Sequence, residues 1–155
     1  MKHEILVIDD NFDIRNLISG ILKDKNYTVR EAANYDQAVF EIDKKLPDLA
    51  IIDVKLDKGD KDGIDLLKKI KNITDLTPVI MISGHANVEM AVESLKLGAY
   101  EFITKPFAME QLLNIVARGL ENINLRKENA QLENRSFYSF DLIGESPQII
   151  KIKKL

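Results

Sequence analysis

The sequence predicts an α/β protein built on a doubly wound parallel sheet. Three observations predict it. Short apolar runs of strand length alternate with stretches whose apolar residues recur every three or four positions. The strongest runs are apolar throughout, as expected of strands covered on both faces. Polar residues fall repeatedly at the carboxyl ends of those runs, where open α/β sheets bind their ligands.

Taken in order, the first strand is Ile5–Ile8, inside "EILVIDDN". A helix beginning near Asn11 follows, with Ile14, Leu17, Ile18, Ile21 and Leu22 on one stripe. Thr28–Ala32 is a weaker, more polar strand candidate. Asn34–Lys44 reads as a helix, stopped by Pro47. Leu49–Ile52 and Val79–Ile82 are the next apolar strands, with a brief helical pattern at Ile64, Leu67 and Ile70 between them. Val88, Ala91, Val92 and Leu95 mark another helix, and Glu101–Ile103 a fifth strand. The last helix starts near Met109 and extends to about Arg135, with Leu112, Leu113, Val116, Leu120 and Ile123 placed to pack on the sheet. Beyond Ile123 the chain turns polar, "NLRKENAQLENRS", with Leu125 and Leu132 seven apart and Asn129 between them. Two readings of that stripe stand side by side: a short dimeric zipper and a solvated helix tail.

The chain has 155 residues, enough for one domain and an appendage. It is 45% hydrophobic and 30% charged, and its net charge of −3 argues against a broad nucleic-acid surface. The absence of cysteine excludes disulfides and thiolate sites and fits a reducing cytoplasm. The apolar run in "MKHEILVIDD" is too short for a signal peptide, and no segment reaches transmembrane length.

The strand ends carry the chemistry. Asp9 and Asp10 follow the first strand, Asp53 the third and Ser83 the fourth, and Lys105-Pro106 follows the fifth. On a parallel sheet all of them converge on one rim. Two like charges about 4 Å apart repel by about 4 kcal/mol at an effective dielectric near 20, so three carboxylates call for a cation. Lys105 supplies one positive charge, and a hard divalent ion, Mg²⁺, suits the oxygen ligands. Capping of the next helix is the competing role for Asp9 and Asp10. An ionised Asp53 beside a metal and a lysine suits phosphoryl transfer, with an aspartyl phosphate as product.

"ILVIDDN", "LAIIDVKL", "PVIMISGHA" and "GAYEFITKPF" resemble the receiver domain of two-component response regulators, over about Met1 to Leu120. The resemblance implies a flavodoxin-like fold of five strands in the order 2-1-3-4-5, an arrangement for which a member of this family is a standard example. It implies Asp53 as phospho-acceptor, Asp10 as a direct metal ligand, Asp9 acting through metal-bound water, and the Lys55 backbone carbonyl as a further ligand. It implies Ser83 as the switch hydroxyl, Phe102 as the switch aromatic, Lys105 as the phosphate-binding lysine, and a cis Lys105–Pro106 bond. Phe102 also reads as ordinary core, and Tyr100 is a neighbouring aromatic. His85 reads as a rim residue affecting water access.

"DVKLDKGDKDG" departs from the pattern: Gly63 lies further from Asp53 than in most receivers, and the usual proline after the acceptor is missing. A calcium loop aligned on Gly63 would put Lys58 first and Lys69 last, where carboxylates are needed, so the stretch reads as a solvated acidic loop. The longer loop looks like that of NtrX-type receivers. "FDLIGESPQIIKIKKL" resembles the opening of the AAA+ domain of sigma-54-dependent activators, and no G-x-x-x-x-G-K-[ST] occurs.

The expected organisation is a receiver over 1–120, a linker helix and candidate coiled coil over 121–139, and an ATPase stub over 140–155. The expected role is that of a non-enzymatic, cytoplasmic phospho-switch. It takes phosphate from a histidine kinase, pairs as a homodimer through receiver and linker helix, and reaches DNA and sigma-54 polymerase only through downstream domains. A stand-alone receiver acting by protein binding is the rival. A haloacid-dehalogenase-type phosphatase is disfavoured because its D-x-D-G-T/V pattern is absent.

Overall fold

The computed structural model describes residues 3–122 except 58, 60 and 85–87. Its elements run β1 (Glu4–Ile8), α1 (Phe12–Asp24), β2 (Thr28–Ala32), α2 (Tyr35–Lys44), β3 (Leu49–Asp53), α3 (Asp62–Ile73), β4 (Val79–Ser83), α4 (Val88–Lys96) and β5 (Glu101–Thr104), and a last helix, α5, spans residues 109–122. The strands form one parallel sheet in the order β2-β1-β3-β4-β5. Fold class and strand order are those expected from the sequence. The chain reverses its direction of travel across the sheet between β1 and β3, so their carboxyl ends flank a crevice.

The side-chain alternation of the strands divides the core into two layers. Leu6, Ile8, Ala50, Ile52, Val79 and Met81 pack on one face with Ala38 and Ile42 of α2, Ile64, Leu67 and Ile70 of α3, and the half-buried Met90 of α4. Ile5, Val7, Leu49, Ile51, Ile80 and Ile82 are buried on the other face, left to α1 and α5. There α1 buries Ile18 and Leu22, and α5 buries Leu112, Ile115, Val116 and Leu120. Gly119 of α5 lets the helix approach closely: a side chain there would press on Leu49. β3 and β4 are buried along their whole length, which is why they read as unbroken apolar runs. Leu113 is only half-buried, and Ile123, Leu125, Asn129, Leu132 and His85 lie outside the described residues.

Local signals explain the helix boundaries. Asn11 caps α1 by accepting from the Ile14 amide, and Asn34 caps α2 by accepting from the Gln37 amide. Asn26 and Gly98 adopt positive φ in the turns after α1 and α4, where such residues are favoured. At the edge, Arg30 of β2 bonds the Glu41 carboxylate at 2.8 Å and pairs with Glu4 at 3.2 Å. The Arg30 hydrogen bond holds the Glu41 carboxyl below its ordinary value.

One helix turns an unexpected side outward. Val88, Val92 and Leu95, three of the four apolar residues that predicted α4, are 78%, 44% and 47% exposed. The side facing the sheet carries Met90, Ala91 and Ser94, of which only Ser94 is fully buried.

Candidate functional site

Asp9 and Asp10 follow β1 directly, and Asp53 is the last residue of β3, so the β1/β3 crevice brings the three side chains together. Their carboxylate oxygens lie within 4.8 Å of one another. Asp9 and Asp53 are 2% and 6% exposed, while Asp10 is open to solvent. Lys105, just past β5, reaches across: its Nζ lies 3.1 Å from Asp9 Oδ2 and 2.9 Å from Asp53 Oδ2.

Each buried carboxylate has its second oxygen engaged by backbone. The Asn11 amide donates to Asp9 Oδ1 at 2.8 Å, and the Lys55 amide donates to Asp53 Oδ1 at 3.1 Å. Asp9 therefore does shape the entry to α1, and it faces Lys105 as well. Asn11, not either aspartate, bonds the first-turn amide of that helix.

Burial pushes the Asp53 carboxyl up to about 6; the Lys105 hydrogen bond opposes this, and the Asp9 charge adds to it. Burial also works against the Lys105 charge, but its hydrogen bond to Asp53 and the charges of Asp53 and Asp9 outweigh burial, so its pKa is raised. Three carboxylates facing one ammonium leave two negative charges uncompensated on the rim. That donor set, all oxygen and close enough to share one ion, fits a hard divalent cation.

Ser83 ends β4, is 5% exposed, and pairs in register with Thr104. Its carbonyl accepts the Lys105 amide at 2.7 Å, so Ser83 helps seat the lysine's backbone. The Lys105–Pro106 bond is cis. Phe102 lies opposite Met81 within β5 and packs, half-buried, against the core. Tyr100 precedes β5 and bonds the carbonyl of Val79 at the far end of β4, away from the rim.

Two features had little signal in the sequence. Arg15 of α1 donates from Nη1 to the Asp9 carbonyl at 2.8 Å and pairs with Glu31 at 3.0 Å, bracing the backbone that carries Asp9. Its place in the first turn of the helix that follows the aspartates is its only sequence signal. The acidic loop after Asp53 is not simply solvated: Asp57 accepts the Tyr35 amide of α2 at 2.9 Å, and Asp62, 7% exposed, accepts the Gly59 amide at 3.0 Å. Gly63 then returns against β3 so closely that a Cβ there would overlap the Asp53 carbonyl. The longer loop thus closes on a glycine because only hydrogen fits that approach.

Known proteins match this arrangement. The family model of the response regulator receiver domain matches residues 5–117. The chain is 40% identical over 153 residues to the nitrogen assimilation regulatory protein NtrX of Azorhizobium caulinodans, covering 99% of this chain and 34% of that protein. It is 38% identical over 150 residues to a putative NtrX-like response regulator of Rickettsia bellii, covering 97% of this chain and 31% of that protein. The chain therefore spans about a third of the length of these curated relatives. Among solved structures, NtrX of Brucella abortus in complex with ADP is similar at TM-score 0.78 and 40% identity, over 88% of this chain and 30% of that one. A CheY-like receiver from Methanospirillum hungatei is similar at TM-score 0.76 and 30% identity, over 81% of this chain and 99% of that one. The beryllofluoride-activated receiver dimer of NtrC4 is similar at TM-score 0.72 and 32% identity, over 77% of this chain and 98% of that one. With its sheet order, its acidic crevice and its cross-strand lysine, the chain belongs to the response regulator receiver domain family.

Proposed function

We propose that this receiver accepts a phosphoryl group on Asp53 from the phosphohistidine of a sensor kinase, with Mg²⁺ bound on the same rim. The observation that carries the reading is the Lys105 ammonium bonded at once to Asp9 and Asp53, beside the open carboxylate of Asp10. With a carboxyl pKa of about 6, Asp53 is mostly ionised at neutral pH and needs no general base. An oxygen of Asp53 attacks phosphorus, the P–N bond breaks, and the kinase imidazole leaves with the electron pair. Lys105 stabilises charge on the phosphoryl oxygens and holds Asp53 in the crevice.

Asp9, buried and bonded to the Asn11 amide and to Lys105, would act through metal-bound water, as the family resemblance implies. Exposed Asp10, Asp53 and the Lys55 carbonyl would hold the ion directly. Bound Mg²⁺ would neutralise negative charge on the phosphoryl group. Ser83 would bond that group from β4, and Phe102, half-buried beside Met81, would repack as the loop after Ser83 moves. The chain then promotes its own phosphorylation rather than acting on a released substrate.

The relatives support a wider reading. Their names assign nitrogen assimilation regulation to NtrX, and two Brucella abortus NtrX structures are complexes with ADP and with ATP. An activated NtrC4 receiver is a dimer. We infer a cytoplasmic switch, over about residues 1–120, that dimerises and controls a downstream sigma-54-dependent ATPase. The test of the acceptor chemistry is incubation with acetyl phosphate, read by intact mass. A single phosphoryl adduct is expected, lost in Asp53→Asn and lost with EDTA. A full adduct in either case would sink the assignment.

A further inference from the structure

Between β3 and α3 the described residues, 54–57, 59 and 61, lie outside strand and helix, yet the stretch is held at successive points. The Val54 amide donates to the Ile82 carbonyl at 2.8 Å, and the Val54 carbonyl accepts from the Gly63 amide at 2.8 Å. The Lys55 amide donates to Asp53 Oδ1. Leu56 is 4% exposed and belongs to the core. Exposed Asp57 then bonds the Tyr35 amide, the first of α2, across 22 positions of sequence. The start of α3 holds the other end of the stretch, with Asp62 accepting the Gly59 amide and Gly63 bonding Val54, although Lys61 at its N-cap makes no side-chain capping bond, whereas Asp57 ties the stretch to α2.

We propose that Asp57 is a positioning residue for the metal: by bonding the Tyr35 amide it pins the far side of the Lys55–Leu56 peptide and so fixes the Lys55 carbonyl toward the rim. This inference rests on the reading of that rim as a Mg²⁺ site. The two partners of that bond differ in how else they are held. α2 is already capped, with Asn34 bonding the Gln37 amide at 2.8 Å and Gln37 returning a bond to the Ala33 amide at 2.8 Å. Its first amides would be satisfied by water in any case. The loop has no ladder of its own, so the bond orders the loop more than the helix. A carboxylate at a helix N-terminus is also favoured by the helix dipole, which makes the α2 amide a good anchor. Asp57 stands four residues after the acceptor in the stretch that lacks the usual proline, and its side-chain bond restricts the backbone there by another means.

The test uses the full chain and Mg²⁺ alone, titrated by NMR, with hydrogen exchange of the Tyr35 amide measured in the metal-free protein. Asp57→Ala should speed Tyr35 exchange and weaken Mg²⁺ binding about tenfold, the lower range for a residue acting behind a ligand. Asp57→Asn keeps an acceptor oxygen without the charge and should stay within about twofold of the parent, since an exposed charge counts for little. Parent-like Mg²⁺ affinity in Asp57→Ala overturns the proposal. So does an equal loss in both variants, which would make charge the cause and position irrelevant. Asp10→Ala separates the levels. If it abolishes binding while Asp57→Ala does not weaken it, the metal site stands and only the positioning role falls. If Asp10→Ala binds as the parent does, the ion lies elsewhere and both fall.

Discussion

Asp53 and Asp9 are carboxylates almost closed to water, 2.9 and 3.1 Å from a single ammonium. That arrangement costs stability when no metal is bound. The folded-state pKa of Asp53, about 6, lies above its ordinary 3.8. The folded protein therefore binds a proton more readily than the unfolded chain, and the ionised group destabilises the fold fully above about pH 6. The penalty fades as pH falls through 6 toward 3.8. The shift corresponds to about 1–3 kcal/mol once allowance is made for water at the open rim. In EDTA, Asp53→Asn should therefore be more stable than the parent by that amount at pH 7.5. The gap should close near pH 4, read by urea denaturation across the range. A less stable Asp53→Asn protein at pH 7.5 would mean that Lys105 more than compensates for burial.

Helices and strands differ in what the sequence disclosed about them. Strands β3 and β4 were legible because burial on both faces demands apolar residues at every position. The rim residues were legible because each follows an apolar run. The facing of α4 was not: Val88, Val92 and Leu95 have core-helix spacing yet point to solvent, and periodicity names a stripe without naming what covers it. Leu95→Lys should accordingly change stability by no more than about 0.5 kcal/mol, measured by urea denaturation. A loss of several kcal/mol would place that side in a packed interior. The staple from Asp57 to Tyr35 was equally hidden, since a side-chain bond to a distant backbone amide leaves no local pattern. Gly63 shows the opposite case, a visible residue with an invisible reason. Its α-carbon lies against the Asp53 carbonyl, and Gly63→Ala should cost about 1–3 kcal/mol by forcing backbone apart. A neutral Gly63→Ala would show that the loop can retreat freely.

At the scale of the molecule, the sheet order is what turns four separate strand ends into one site. The reversal between β1 and β3 opens the crevice, β4 and β5 extend its wall, and Lys105 closes it from the edge. Three carboxylates lie within 4.8 Å there, and the proposed chemistry puts phosphate on only one of them. Identifying which one is the most direct test. After acetyl phosphate and Mg²⁺, borohydride reduces an aspartyl phosphate to homoserine, which peptide mass spectrometry then locates. Homoserine at position 53 alone is the expected result. Homoserine at position 9 or 10, or none at any of the three, would contradict the account.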